Sequence, residues 1–236
     1  HSDLRRQRQM CIRDSCNSAC VTCKPSLSTR IGNLKDKLVI NDNYELYKTL
    51  PLERVVEIDI NGGEPSISEN YNDLLNNLPN TVKIVRINTN CARPIKQLET
   101  LLISGVTVIV TVSFDGIDRI HDYIRYPVKW KNFEPLLLEY KKLSVKYKNM
   151  KLDTWTTVSA LNVAHLSEIQ SYCADRNIRH QFAFLNEPDP LNVKYCNWLT
   201  KNVKLKGVAI DKDNTDIILD FLQTEESVRQ GIERFW

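Results

Sequence analysis

No run of about 18 apolar residues occurs in this chain of 236 residues, so it offers no candidate membrane-spanning helix. The opening HSDLRRQRQM lacks the apolar h-region of a secretory signal, and the expectation is a cytoplasmic protein. Neither sign of charge dominates. With 32 Lys and Arg against 29 Asp and Glu, a net +3 leaves no electrostatic footprint for nucleic acid or an anionic membrane. No Gly-, Ser- or Pro-rich stretch marks a linker between independent domains. The pair Gly62-Gly63 lacks the third glycine and helix start of a dinucleotide or P-loop fingerprint, so no flavin or nicotinamide site is expected. Seven cysteines, an odd number unevenly spaced, do not form a secreted disulfide framework.

What the chain does have is enough apolar content, 42%, to fill one sizeable core. Five β-branched or aromatic runs predict strands: Val55 to Ile60, Lys83 to Thr89, Val106 to Phe114, Leu152 to Ser159 and His180 to Leu185. The third is nearly all apolar, as expected of a strand covered on both faces. Between them lie SENYNDLLNNL, ARPIKQLETLLISG, NFEPLLLEYKKLSVKY and NVAHLSEIQSYCADRN, with apolar residues at three- and four-residue steps. Strand and helix alternate, which predicts parallel strands joined by right-handed crossovers.

A closed eight-unit barrel needs about 250 residues. Five or six units therefore predict an α/β fold of the (β/α)6 partial TIM barrel type. Residues 1–15 fit this scheme poorly: the segment is rich in Arg and Gln, only MCIRDS has strand character, and a truncated or foreign N-terminus is the preferred expectation. The core is expected over 16–192, and a short C-terminal helical appendage over 193–236, with VKLKGVAI as strand or loop and helix from about Thr215.

Three cysteines fall within CNSACVTC at the spacing C-x3-C-x2-C, carried by Cys16, Cys20 and Cys23. Structural zinc usually takes four ligands in two paired knuckles, and ferredoxin-type clusters take C-x2-C-x2-C or C-x4-C-x2-C with a remote fourth cysteine. Neither pattern is present. Three thiolates on a cubane cluster would leave one iron open for a substrate or cofactor. Cys91, Cys173 and Cys196 stand apart in sequence and are expected as ordinary buried or partly buried thiols.

That spacing resembles the signature of the radical S-adenosylmethionine (radical SAM) superfamily. The resemblance implies a 4Fe-4S cluster on Cys16, Cys20 and Cys23, with the amino and carboxylate groups of S-adenosylmethionine (SAM) on the fourth iron. It also implies reductive cleavage of SAM to methionine and a 5'-deoxyadenosyl radical, which abstracts hydrogen from an unidentified substrate. Gly62, Gly63, Glu64 and Pro65 look like the family's GGEP motif, which holds the SAM amino group; a Gly-Gly after a strand is by itself only a tight turn. INTN, with Asn88 and Asn90, is similar to the family's TN segment. VSFDG, with Ser113, is similar to its SxDG strand end, and both sit where parallel α/β folds bind ligands.

Arg125 in HDYIRYP matches a family arginine that holds the SAM carboxylate, a role suited to two parallel hydrogen bonds. His121 is expected as a helix or loop residue, and Thr156 or Val158 and Phe184 as ordinary core residues, the alternative being a border on ribose or adenine. Thr22 departs from the family pattern, which often has an aromatic there. The order CNSAC, GGEP, NTN, SFDG, IRYP, LNVAHL most resembles the SPASM/twitch branch, whose members often modify peptides or proteins. An external one-electron reductant is implied, as is a peptide or protein substrate. After Asn192 only Cys196 remains, so no auxiliary cluster is expected within this chain. A different class stays open: a non-catalytic protein in which Cys11, Cys16, Cys20 and Cys23 hold structural zinc, or a degenerate radical SAM-like fold that binds a cluster without turnover.

Overall fold

Alternation decides which face of each strand carries the core. The computed structural model describes residues 7–11, 16–23, 28, 30–31, 51–187 and 189–193. Strand β1 (Gln7–Cys11) precedes the cysteine segment and pairs in parallel with β2 (Glu57–Asn61). In β2, Ile58 and Ile60 are buried on one face while Glu57, Asp59 and Asn61 lie on the other. In β3 (Ile84–Thr89), Val85, Ile87 and Thr89 are buried, and Ile84, Arg86 and Asn88 take the opposite face. The remaining strands are β4 (Thr107–Ser113), β5 (Met150–Val158) and β6 (Arg179–Phe184). All six run parallel in the order β1-β2-β3-β4-β5-β6, so β1 and β6 are the edges among the described residues.

The register aligns the apolar face into rows. Ile60 pairs with Ile87, Ile87 with Val110 and Val110 with Leu152. Against these rows pack α1 (Glu69–Asn76), α2 (Leu98–Ile103), α4 (Trp130–Lys146) and α5 (Leu166–Asp175). They contribute Tyr71, Leu74, Leu101, Phe133, Leu137, Tyr140 and Ile169 to one continuous core. Each large side chain buried there contributes about 1.5–3 kcal/mol. Ser68 caps α1 by accepting the Tyr71 N–H, and Asp122 caps α4 by accepting the Trp130 N–H at 2.6 Å.

The other face of the sheet is half-open and polar. Thr107, Thr111 and Ser113 are only partly buried, so β4 is not covered on both faces as its apolar composition suggests. Directly after β4, Phe114 is fully buried among Trp130, Phe133 and Tyr172, with ring centroids 5.4–5.7 Å away. This aromatic anchor fixes the exit of β4 and therefore the position of Asp115.

Two elements depart from the sequence expectation. The strand before the cysteines lies within Gln7–Cys11, taking in Arg8 and Gln9. A short helix, α3 (Asp118–Ile124), intervenes between β4 and α4 and carries His121, which is fully buried. Among the described residues, no helix is long and apolar enough to cross a membrane. The appendage expected over 193–236 lies outside the described residues except for Val193, as does Cys196.

Candidate functional site

The cysteine segment is held in place by main-chain bonds to the end of α3. The Ala19 N–H donates to the Tyr126 carbonyl at 2.7 Å and the Val21 N–H to that of Ile124 at 3.0 Å. A turn follows, in which the Cys23 N–H donates to the Cys20 carbonyl at 3.0 Å. From the sheet side, Asn90 Nδ2 donates to Asn17 Oδ1 at 2.7 Å and to Ser18 Oγ at 2.9 Å. Arg30 donates to the Asn17 carbonyl at 2.6 Å. Cys16 and Cys23 are half-buried and Cys20 is buried; none of the three is in a disulfide.

The thiol of Cys16 is pushed up to about 12, first by burial and then by Cys20, with Glu64 and Cys23 adding to the rise and a Ser18 backbone hydrogen bond opposing it. Positive charge entering beside Cys16 would bring its thiol down again. Among the described residues, no three His, Cys, Asp or Glu side chains are placed to hold one metal ion. The side chain of Cys11, the fourth ligand in the zinc reading, lies outside those residues.

The chain leaves β2 through Gly62 at φ 95° and Gly63 at φ 55°, left-handed conformations that cost a side-chain-bearing residue about 1–2 kcal/mol. Glu64 then turns inward and is fully buried. Its Oε1 accepts from the Ser66 N–H at 3.1 Å, Ser66 Oγ at 2.6 Å and Thr89 Oγ1 at 2.7 Å. Its Oε2 accepts the Asn90 N–H at 2.6 Å. The carboxylate therefore ties the Gly-Gly turn to the end of β3. On the open face, Asn88 Nδ2 donates to Asn61 Oδ1, and Asn61 Nδ2 donates to Asp59 Oδ1 at 2.9 Å.

Arg125 follows α3, and its Nη1 donates to Asp115 Oδ2 at 2.9 Å, with 12% and 1% side-chain exposure at the two partners. Burial opposes its charge, but Cys20, Asp115 and Cys16 more than offset that and raise its pKa. Asp115 Oδ1 also accepts the Thr157 N–H at 2.8 Å. Asn162 Nδ2 spans the Asp115 and Thr157 carbonyls at 2.9 and 3.0 Å.

These pieces line one open cavity of about 610 Å³ at the carboxyl ends of the strands. Cys16, Cys20, Cys23, Gly62, Gly63, Asn88, Asn90, Ser113 and Arg125 all line it. Glu64, expected beside the glycines as a cofactor contact, does not; its oxygens are spent on Ser66, Thr89 and Asn90. Thr156 and Val158 do not line it either. Strand parity turns both to the buried face, where Thr156 Oγ1 donates to the Phe114 carbonyl and Val158 packs with Val163 and Val193. Phe184 is 39% exposed and away from the cavity. The residues that line this side are Thr157, Leu185, Asn186 and Glu187. Alternation from the buried Thr154 would have pointed to Thr157. Ser18, Thr22 and Thr89 complete the lining. Cys91 and Cys173 are buried core thiols outside the site.

No family model matches the chain, and no curated protein does. Solved structures match it. Streptococcus suis SuiB bound to precursor peptide SuiA aligns with TM-score 0.55 and 18% identity over 77% of this chain and 39% of that one. SuiB bound to S-adenosylmethionine gives TM-score 0.56 and 16% identity over 94% and 48%. Native anSMEcpe with bound AdoMet and Cp18Cys peptide gives TM-score 0.54 and 18% identity over 77% and 51%. This chain thus spans about half the length of those proteins or less, and what it shares with them is the fold.

Proposed function

We propose that the unit from β1 through residue 192, which takes in Gln7–Cys11 as well as the expected 16–192, forms the core of a radical SAM enzyme on a (β/α)6 part-barrel. The carrying observation is the single cavity onto which three thiols, a left-handed Gly-Gly turn, Asn88, Asn90, Ser113 and Arg125 all open. Its volume of about 610 Å³ suits a nucleoside-sized ligand beside a cluster. The donor set suits the cofactor as well: three soft sulfurs, without a fourth described cysteine among the lining residues, match a 4Fe-4S cluster with one open iron. The solved neighbours, which are radical SAM enzymes, support the reading through their fold.

In this reading Cys16, Cys20 and Cys23 lose their protons to become the cluster ligands. The cluster supplies, when bound, the electron that cleaves SAM reductively to methionine and a 5'-deoxyadenosyl radical. The chain's own residues bind and orient. Gly62 and Gly63 let the backbone approach the SAM amino group without a Cβ in the way. Arg125 meets the carboxylate with a charge-assisted fork, and Asn88 and Ser113 offer polar contacts from the strand ends. Asn90 and Glu64 contribute by fixing the cysteine segment and the Gly-Gly turn. The reductant is an external one-electron donor.

The substrate in this proposal is a peptide or protein. SuiB and anSMEcpe are each described with a bound peptide, and the motif order resembles the SPASM/twitch branch. A cytoplasmic setting, in which thiols stay reduced, fits five described cysteines with no disulfide among them.

Anaerobic reconstitution with iron and sulfide, then dithionite and SAM, tests the reading. Release of 5'-deoxyadenosine, abolished by Cys20→Ala, is expected. One tetrahedral zinc and no iron after anaerobic purification would overturn it. A loaded protein that binds SAM without releasing that product would instead be a non-catalytic relative.

A further inference from the structure

Arg125 lines the cavity, and Asp115 stands behind it. An arginine side chain has several rotatable bonds and, left alone at a wall, samples many orientations. Asp115 is the rigid member. It follows the buried Phe114, its Oδ1 is fixed by the Thr157 N–H, and its carbonyl is held by Asn162. Behind it, a Cβ on Gly116 would stand 2.6 Å from Ile120 Cγ2 and 2.8 Å from the His121 nitrogen, so the turn packs closely on α3 and has no room for a side chain there.

The ion pair between them occupies Nη1 of the guanidinium, and Arg125 lines the cavity. Its Nε is buried, so the guanidinium meets the cavity by its outer nitrogens. A cation held at one nitrogen by a fixed carboxylate keeps one orientation, and a second carboxylate is the group it suits. We propose that Asp115 is a positioning residue: by holding Nη1 it fixes the guanidinium of Arg125 where it meets the carboxylate of SAM. This rests on the function proposed above. Asp115 itself does not line the cavity, and it acts through Arg125 alone.

The test compares Asp115→Asn with the unaltered protein, both carrying a reconstituted cluster, by calorimetric titration with SAM and with decarboxylated SAM. The asparagine keeps an oxygen for the Thr157 N–H and loses the anionic partner of Arg125. Binding of SAM is expected to weaken about tenfold or more, the scale of one charge-assisted hydrogen bond. Decarboxylated SAM should change less than about threefold, because it lacks the group that Arg125 reads. In an Arg125→Ala background, Asp115→Asn should then have no further effect.

Equal weakening of both ligands would indicate general damage and overturn the positioning role, as would unchanged SAM affinity. Failure of the unaltered loaded protein to bind SAM at all would overturn the proposed function and this inference together. Should Asp115→Asn not fold, Arg125→Lys gives the same readout. It keeps the charge and removes the fork, so the preference for SAM over its decarboxylated form should fall, and a retained preference overturns the proposal.

Discussion

The Glu64 carboxylate accepts the Asn90 backbone N–H at 2.6 Å, and Asn90 in turn holds Asn17 and Ser18 through its side-chain amide. One buried charge thereby joins the Gly-Gly turn, the end of β3 and the cysteine segment. Glu64→Gln places an amide N–H where an oxygen accepted from Asn90, donor facing donor. A loss of about 1.5–3 kcal/mol is expected, the range for a hydrogen bond to a charged group. Urea denaturation measures that loss, and iron content per chain after reconstitution should fall with it.

Only some of the cysteines should matter to metal. Cys16→Ala, Cys20→Ala and Cys23→Ala each remove a proposed ligand, and each should lower iron bound per chain. Cys173→Ala alters a buried core thiol whose Sγ lies 3.4 Å from Thr154 Oγ1. It should cost stability of about 1 kcal/mol, as for a small buried group, while leaving iron content unchanged. Colorimetric iron and sulfide assays distinguish the two classes.

His121 gives the fold an acid-side dependence. Burial first and Arg125 second lower its pKa from 6.5 to about 3, against Asp122 and the Gly116 backbone, and neither ring nitrogen has a hydrogen-bond partner among the described residues. The unfolded chain therefore binds a proton near pH 6.5 that the folded chain refuses. Its stabilising contribution is complete above that pH and is lost as pH falls toward 3, with a slope of at most about 1.4 kcal/mol per unit. His180 shifts in the same direction, so the assignment needs a variant. His121→Phe, set among Trp130 and Phe133, should flatten this part of the pH profile of unfolding.

Adjacent threonines should separate stability from ligand affinity. Thr156→Val removes the partner of the buried Phe114 carbonyl and should cost about 1 kcal/mol in unfolding free energy with SAM affinity unchanged. Thr157→Val changes a cavity-lining side chain and should weaken SAM binding with little effect on the unfolding midpoint.

Much of this site is legible in sequence because its residue types are tied to local needs. Three cysteines at fixed spacing, Gly-Gly at two left-handed positions, and Ser113 at a strand end all announce themselves within a few residues. Glu64 does not: its inward turn depends on Thr89 and Asn90, which meet it only once β2 and β3 pair. Thr156 and Val158 are buried as expected, and Thr157, which reaches the cavity, is of the same type as its buried neighbour, so composition alone does not single it out. β1 escapes composition altogether, since a strand held by backbone pairing to β2 tolerates Arg8 and Gln9. α3 is too short to show helical periodicity after the Asp115-Gly116 turn.

The two faces of the sheet have different consequences for change over time. Ile58, Val85, Val108, Leu152 and their neighbours carry the burial energy, so drift there is purged as misfolding. Asp59, Arg86, Asp153 and Trp155 stand on the half-open face, where exchange of one side chain for another leaves the core intact. A sheet divided in this way confines the energetic cost of substitution to one face, so side chains on the half-open face exchange with little loss of foldedness, whereas the Glu64–Asn90 brace does not.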